Sequence, residues 1–149
     1  VLNELLDLPI LYLSSYIIKH KADYYRLLQE VRTKGSWEEW ILYMLDGVEQ
    51  TATKQVQLIN DIKDLMDSTK DKLKTELPKI YSKDLLEVLF IHPYTKIDML
   101  VNNLELHRDT ASKHLKSIQE IGILNSVQIK NTKFYVNVKL FELLQKGFL

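Results

Sequence analysis

Between Trp37 and Leu73 apolar side chains recur at mostly three- and four-residue steps: Trp37, Ile41, Leu45, Val48, Ala52, Val56, Ile59, Ile62, Met66 and Leu73. A helix completes a turn every 3.6 residues, so this spacing lays an apolar stripe along one helix face. No proline intervenes until Pro78. The start is marked by Ser36-Trp37-Glu38-Glu39, a hydroxyl at the N-cap and a carboxylate three positions on, each able to satisfy the other's orphan amide. Unbroken over about 40 residues, such a helix would be ~60 Å long at 1.5 Å per residue. A small domain cannot cover that length. Either a break at Asp67-Ser68-Thr69-Lys70-Asp71 or a partner chain along the outer part is therefore expected.

Helical patterns flank this stripe. Pro9, just after Asp7, suits the first turn of a helix over residues 9–20, because its missing N–H costs nothing there. Asp23 is placed to cap a second helix, 24–33, and Gly35 to close it. Leu77-Pro78 ends the array, and a boundary at 78–82 divides the chain into 1–78 and 79–149. After it the pattern changes. Residues 82–91 form one helix. Thr95 caps another, 96–103, with Asp98 at its third position. The turn Leu104-Glu105-Leu106 leads to a helix at 107–121, ended by Gly122. Residues 123–129 and 134–138 alternate as strands joined by the polar 130–133, and a helix at 140–146 follows. The expected class is mainly α, with helix, helix, turn, helix and hairpin in the order of a winged helix-turn-helix.

Composition narrows the function. The 149 residues contain no cysteine, which excludes disulfides and thiolate metal sites. Lys plus Arg and Asp plus Glu number 20 each, so net charge points to no polyanionic partner. The split is slight: residues 1–80 hold 11 basic and 13 acidic side chains, the remainder 9 and 7. No apolar run reaches the ~18–20 residues of a membrane span. Glu4 and Asp7 interrupt the only N-terminal apolar run, unlike a signal peptide. A cytoplasmic protein without membrane contact is expected. The opening Val-Leu-Asn-Glu-Leu-Leu has neither Met nor a cap ahead of its apolar pattern, so we expect a fragment whose first helix begins upstream.

The helix at 107–121 carries the candidate site. Ala111, Leu115 and Ile118 share a face that packs inward. The opposite face carries Asp109, Lys113, Lys116 and Glu120, flanked by Ser112 and Ser117. Arg108 stands at the N-terminal end, where a recognition helix meets base edges. Arg108 or Lys113 can pair with guanine O6 and N7, and Ser112 can bond a phosphate or a base edge. Lys130 and Lys133, in the hairpin connection, can reach backbone phosphates. Against this, Asp109 and Glu120 repel phosphate, and a face of Lys, Ser, Asp and Glu is what any solvated helix shows. Protein contact or self-association is the competing expectation.

No catalytic constellation and no Gly-rich phosphate loop is visible. His107 and His114 are seven apart, wider than the one-turn spacing of a zinc pair, and no third ligand is near in sequence, so no metal site is expected. The Tyr and Trp residues of the first half, Tyr12, Tyr16, Tyr24, Tyr25, Trp37, Trp40 and Tyr43, are mostly at helical spacing and are expected in a core or an interface.

The run LLDLPILYLSSYIIKHKADYYRLLQEVRTKGSWEEWILYMLDGVEQTA, residues 5–52, resembles the segment that follows the catalytic motif in Fic family proteins. Its most specific pieces are Leu8-Pro9-Ile10-Leu11-Tyr12-Leu13-Ser14, Ala22-Asp23-Tyr24-Tyr25 and Trp37-Glu38-Glu39-Trp40. A winged helix after a Fic core is similar to the layout of longer bacterial members. The resemblance implies an all-α core and transfer of AMP from ATP to a protein hydroxyl, with Mg²⁺. It implies a motif H-P-F-x-D/E-G-N-x-x-R, whose His is the general base, whose acidic residue helps hold Mg²⁺, and whose Gly-Asn turn and Arg hold phosphates. Here Ile91-His92-Pro93-Tyr94-Thr95-Lys96-Ile97-Asp98 starts like that motif and then departs, with no Gly-Asn and no Arg in place. No catalytic or cofactor-binding residue can be carried over. The motif is expected just upstream of Val1, with ATP and Mg²⁺ bound by the parent. The family's autoinhibitory S/T-x-x-x-E-G/N is absent as well. The resulting expectation is a bacterial AMP-transferase whose C-terminal part is a non-catalytic winged-helix module for double-stranded DNA or protein. The alternatives are a winged-helix transcriptional regulator with a helical dimerisation arm, and a structural module that positions protein substrates or forms a homodimer through the helical half.

Overall fold

A computed structural model describes residues 13–148. Among them are seven helices and a three-stranded antiparallel sheet of order β1-β3-β2. The chain forms two compact units, Val1–Ile59 with Gly147–Leu149, and Asn60–Lys146. The helix start expected at Asp7-Pro9, with Ile10, Leu11 and Tyr12, lies outside the described residues.

In the first unit α1 is Ser14–Lys19 and α2 is Lys21–Lys34. Asp23 does not cap α2. The N-cap is His20, without a side-chain bond, and Asp23 sits within the first turn, 3.3 Å from Arg26. There its charge still opposes the positive end of the helix dipole. Gly35 closes α2 at φ 69°, its N–H donating to the Val31 carbonyl. The next helix, α3, runs Trp37–Glu76. Its buried face at this end is not the stripe that the spacing brings out. Gly47 and Thr51 are buried, whereas Trp37, Ile41, Leu45, Val56 and Ile59 are each more than half exposed. Tyr16 decides this: its ring lies against Gly47 and its hydroxyl donates to Asp46 Oδ2 at 2.6 Å. The Tyr43 ring lies 5.3 Å from the same ring, tilted against it, and Tyr24 and Trp40 extend the aromatic cluster.

The expected break at Asp67-Ser68-Thr69-Lys70-Asp71 does not occur: α3 is continuous to Glu76. The polar residues that suggested it bond within the helix. Ser68 Oγ donates to the Leu65 carbonyl at 2.9 Å and Lys70 pairs with Asp67 at 3.3 Å. Thr69 is buried at 6 % exposure and Leu73 at 0 %, so packing overrides weak propensity here.

The second unit is built on α3 from Asn60 onward, α4 (Lys83–Ile91), β1 (Tyr94–Thr95), α5 (Ile97–Leu104), α6 (Arg108–Glu120), β2 (Asn125–Ile129), β3 (Thr132–Val136) and α7 (Val138–Phe148) up to Lys146. Ser82 caps α4 by accepting from Leu85 N at 3.0 Å. Leu73, Leu85, Leu89, Leu100, Ala111, Leu115, Ile118, Leu124 and Tyr135 make the core. The inward face assigned to α6 is therefore observed: Ala111, Leu115 and Ile118 are all fully buried. Gly122 follows α6 at φ 75°.

Three details depart from expectation. Thr95 does not cap α5; Lys96 occupies the N-cap without a side-chain bond. Thr95 belongs instead to β1, which pairs with β3 and had no periodic signal at two residues long. The hairpin connection is Lys130-Asn131 rather than 130–133, because Ile129 pairs with Thr132, and Lys130 turns the chain at φ 51°. The last helix starts at Val138, two residues earlier than expected, since Asn137 Oδ1 accepts from Leu140 N at 3.2 Å and sets the N-cap.

Candidate nucleic-acid interface

The turn between α5 and α6 decides where the basic residues go. Glu105 ends α5 in the left-handed region at φ 51°, which reverses the chain within three residues. His107 takes the N-cap of α6 with no side-chain bond, so the first side chain of the helix is Arg108. Arg108 Nη1 lies 2.7 Å from Asp98 Oδ1 in the first turn of α5, and both side chains are largely exposed.

The hairpin approaches this helix start. A cavity of about 270 Å³ is lined by Lys96, Ile97, Asp98 and Arg108 on the helical side, and by Gln128, Asn131, Thr132 and Lys133 on the strand side. Gln128 and Lys133 face each other in the β2–β3 register. Lys133 Nζ sits 4.9 Å from the Tyr135 ring, and Lys96 Nζ sits 4.8 Å from the Phe134 ring and 5.9 Å from the Tyr94 ring. Cation–π contacts of this kind hold the ammonium groups in place while leaving N–H donors for a second partner.

Of the six residues singled out from the sequence, Arg108 and Lys133 thus meet at one cavity. Lys113 and Lys116 are exposed on α6, and Ser112 is half-buried beside them. Lys130 is exposed at the hairpin tip, where its carbonyl accepts from Gln128 Nε2 at 3.0 Å. None of these four lines the cavity. Lys96, Gln128, Asn131 and Thr132 escaped the sequence reading. Lys96 was hidden because the helix was capped one residue too early. The others were hidden because the strand pairing that aligns them with α6 is a tertiary fact.

His114 is half-buried, and burial holds its imidazole below the usual histidine range. His92 ends α4 in an extended conformation and stacks on Tyr94, and the neighbouring Pro93 carbonyl accepts from Asn137 N at 2.9 Å. His92-Pro93 therefore anchors β1; its extended backbone forms no cradle for a phosphate.

What the arrangement can do is bind. It offers three cations and several amide and hydroxyl groups across a shallow opening, with one carboxylate set against Arg108. The model of one protein family matches residues 65–140, just over half of the chain: the C-terminal domain of SoFic-like protein adenylyltransferases.

Proposed function

The chain belongs to the family of SoFic-like protein adenylyltransferase C-terminal domains, and on that premise we propose that its second half is a non-catalytic winged-helix module that binds duplex DNA for an AMP-transferring parent. In that parent, ATP and Mg²⁺ would be held by the H-P-F-x-D/E-G-N-x-x-R motif, which this sequence does not contain. The residues here perform no step of the transfer. They supply an address.

The observation that supports the reading is the convergence of Lys96, Arg108 and Lys133 where the start of α6 meets the hairpin. A winged helix inserts the first turn of its recognition helix into the major groove and lays the wing on the flanking backbone. Arg108 then stands at base edges, Lys113 and Lys116 along the groove, and Lys96, Lys130 and Lys133 at phosphates. Such cations release condensed counterions, so affinity falls with salt at a slope of about −0.9 per phosphate contact.

The test is fluorescence anisotropy of the whole chain with labelled duplex over a salt series. Binding should weaken steeply with salt, and Lys96→Ala, Lys130→Ala and Lys133→Ala should each lower the slope by about one contact, while Lys113→Ala and Lys116→Ala should weaken binding. No binding at ~50 mM salt, where several phosphate contacts should hold, removes the reading.

A second reading, self-association through the helical half, is favoured by the exposed Trp37, Ile41 and Leu45. Sedimentation of the chain with and without Ile41→Asp separates it from the first.

A further inference from the structure

The sheet ends at β2: in the order β1-β3-β2 its outer edge pairs with no other strand among the described residues. The hairpin decides which groups that edge presents. Its turn is Lys130-Asn131, and Ile129 faces Thr132. A two-residue turn closes on a hydrogen-bonded pair, and bonded and non-bonded pairs then alternate along an antiparallel ladder. Ile129–Thr132, Val127–Phe134 and Asn125–Val136 are thus the bonded pairs. Ser126 and Gln128 lie between them and turn their backbone N–H and C=O away from β3. No other backbone bond among the described residues takes up those groups.

Natural sheet edges are guarded by a charge, a proline, a bulge or a covering element. β2 reads Asn-Ser-Val-Gln-Ile, with no charge and no proline. Its pairing with β3 runs from Asn125 to Ile129 without a bulge. The face beside the edge is apolar as well. Val127 and Ile129 are 47 % and 54 % exposed. They continue a row begun by Tyr94 and Phe134, whose rings meet edge to face at 5.5 Å.

This edge also matches itself. Laid antiparallel to a second copy about Val127, it sets Ser126 of each chain against Gln128 of the other, so every outward N–H finds an outward C=O. Val127 meets its own copy in a close non-bonded pair, an apolar contact on the exposed face. Lys130, the nearest charge, stands across from Leu124 rather than from another lysine.

We infer that β2 is a dimerisation edge: two copies of this chain pair their β2 strands antiparallel about Val127 and join two three-stranded sheets into one. The occupant is a second copy because the strand satisfies itself in hydrogen bonds, in charge and in the Val127 contact. The edge lies apart from the exposed stripe of α3, and the pairing does not depend on DNA binding. It adds to that reading. The twofold axis stands perpendicular to the sheet, so Gln128 and Lys133 of both copies fall on the same side, and two basic openings then suit an inverted repeat.

The experiment is sedimentation velocity of the whole chain from about 1 μM to 1 mM, the range in which a small interface associates, with amide hydrogen exchange at both ends of it. A monomer–dimer equilibrium is expected, with the Ser126 and Gln128 amides protected at high concentration and open at low. Ser126→Pro keeps every β2–β3 bond, because that N–H points outward, and should weaken the dimer roughly tenfold or more. Val127→Lys sets like charges face to face at an exposed position and should weaken it by roughly the same factor. Circular dichroism shows whether each variant keeps the fold. If Ser126→Pro does not, Val127→Lys and the exchange of the parent chain still decide. Ile41→Asp, on α3, should leave the protection of Ser126 and Gln128 in place. A chain that stays monomeric overturns the inference. So does exchange at Ser126 and Gln128 that ignores concentration, or a dimer that Val127→Lys leaves intact.

Discussion

Arg108 Nη1 lies 2.7 Å from Asp98 Oδ1, joining the first residue of α6 to the first turn of α5. With side chains 71 % and 66 % exposed, the pair adds at most ~1 kcal/mol to stability. Its weight is electrostatic. It neutralises the one arginine at the groove.

Asp98→Asn should therefore leave the melting temperature nearly unchanged and raise duplex affinity several-fold at low salt, with a steeper salt slope. Anisotropy titrations at two salt concentrations check it. A loss of affinity would mean that Asp98 aims Arg108 rather than masking it.

Leu115→Ala should cost ~2–5 kcal/mol, because Leu115 is fully exposed to the core and not at all to solvent, at 0 % accessibility. Its neighbour Lys116→Ala should stay within about 0.5 kcal/mol of the parent. Urea denaturation of both variants separates the packed face of α6 from its solvent face, and so tells lost binding from lost folding.

Gly47→Ala should destabilise by ~1–3 kcal/mol. A Cβ there would meet Tyr16 Cδ1 at 2.8 Å, and the ring cannot swing away without losing the Tyr16–Asp46 hydrogen bond at 2.6 Å. Burial and that bond together push the Tyr16 hydroxyl up to about 12. Its pH-jump ultraviolet titration should move back towards ordinary tyrosine in Asp46→Asn.

His114 gives a pH dependence of known sign. Burial lowers its pKa in the folded chain, so the unfolded chain binds the extra proton first. The stability this neutral imidazole permits is complete above the ordinary histidine pKa of about 6.5 and is lost as pH falls through the lower folded value. His114→Gln should flatten the acid side of the stability profile; denaturation midpoints measured from pH 7 downwards check it.

Much of this protein is legible without coordinates, and the reason is local. Helix periods, the left-handed Gly35 and Gly122 and the inward face Ala111, Leu115, Ile118 all follow from interactions within four residues. Two local expectations failed, the Asp23 cap and the start of the last helix; the others that failed needed a distant partner. Thr95 resembles a cap but is held in a strand by β3, forty residues away in the chain. The polar stretch 67–71 looks like a break, yet Thr69 and Leu73 pack it into a continuous helix. Trp37, Ile41 and Leu45 form the best stripe on α3, yet Tyr16 selects the face of Gly47. The candidate site divides in the same way. The sequence by itself determined which cations α6 and the hairpin carry. Only the tertiary structure decided that Arg108 meets Lys133 and Lys96 at one opening, that Asp98 neutralises it, and that β2 ends the sheet with an open edge, because burial and long-range pairing are properties of the folded chain.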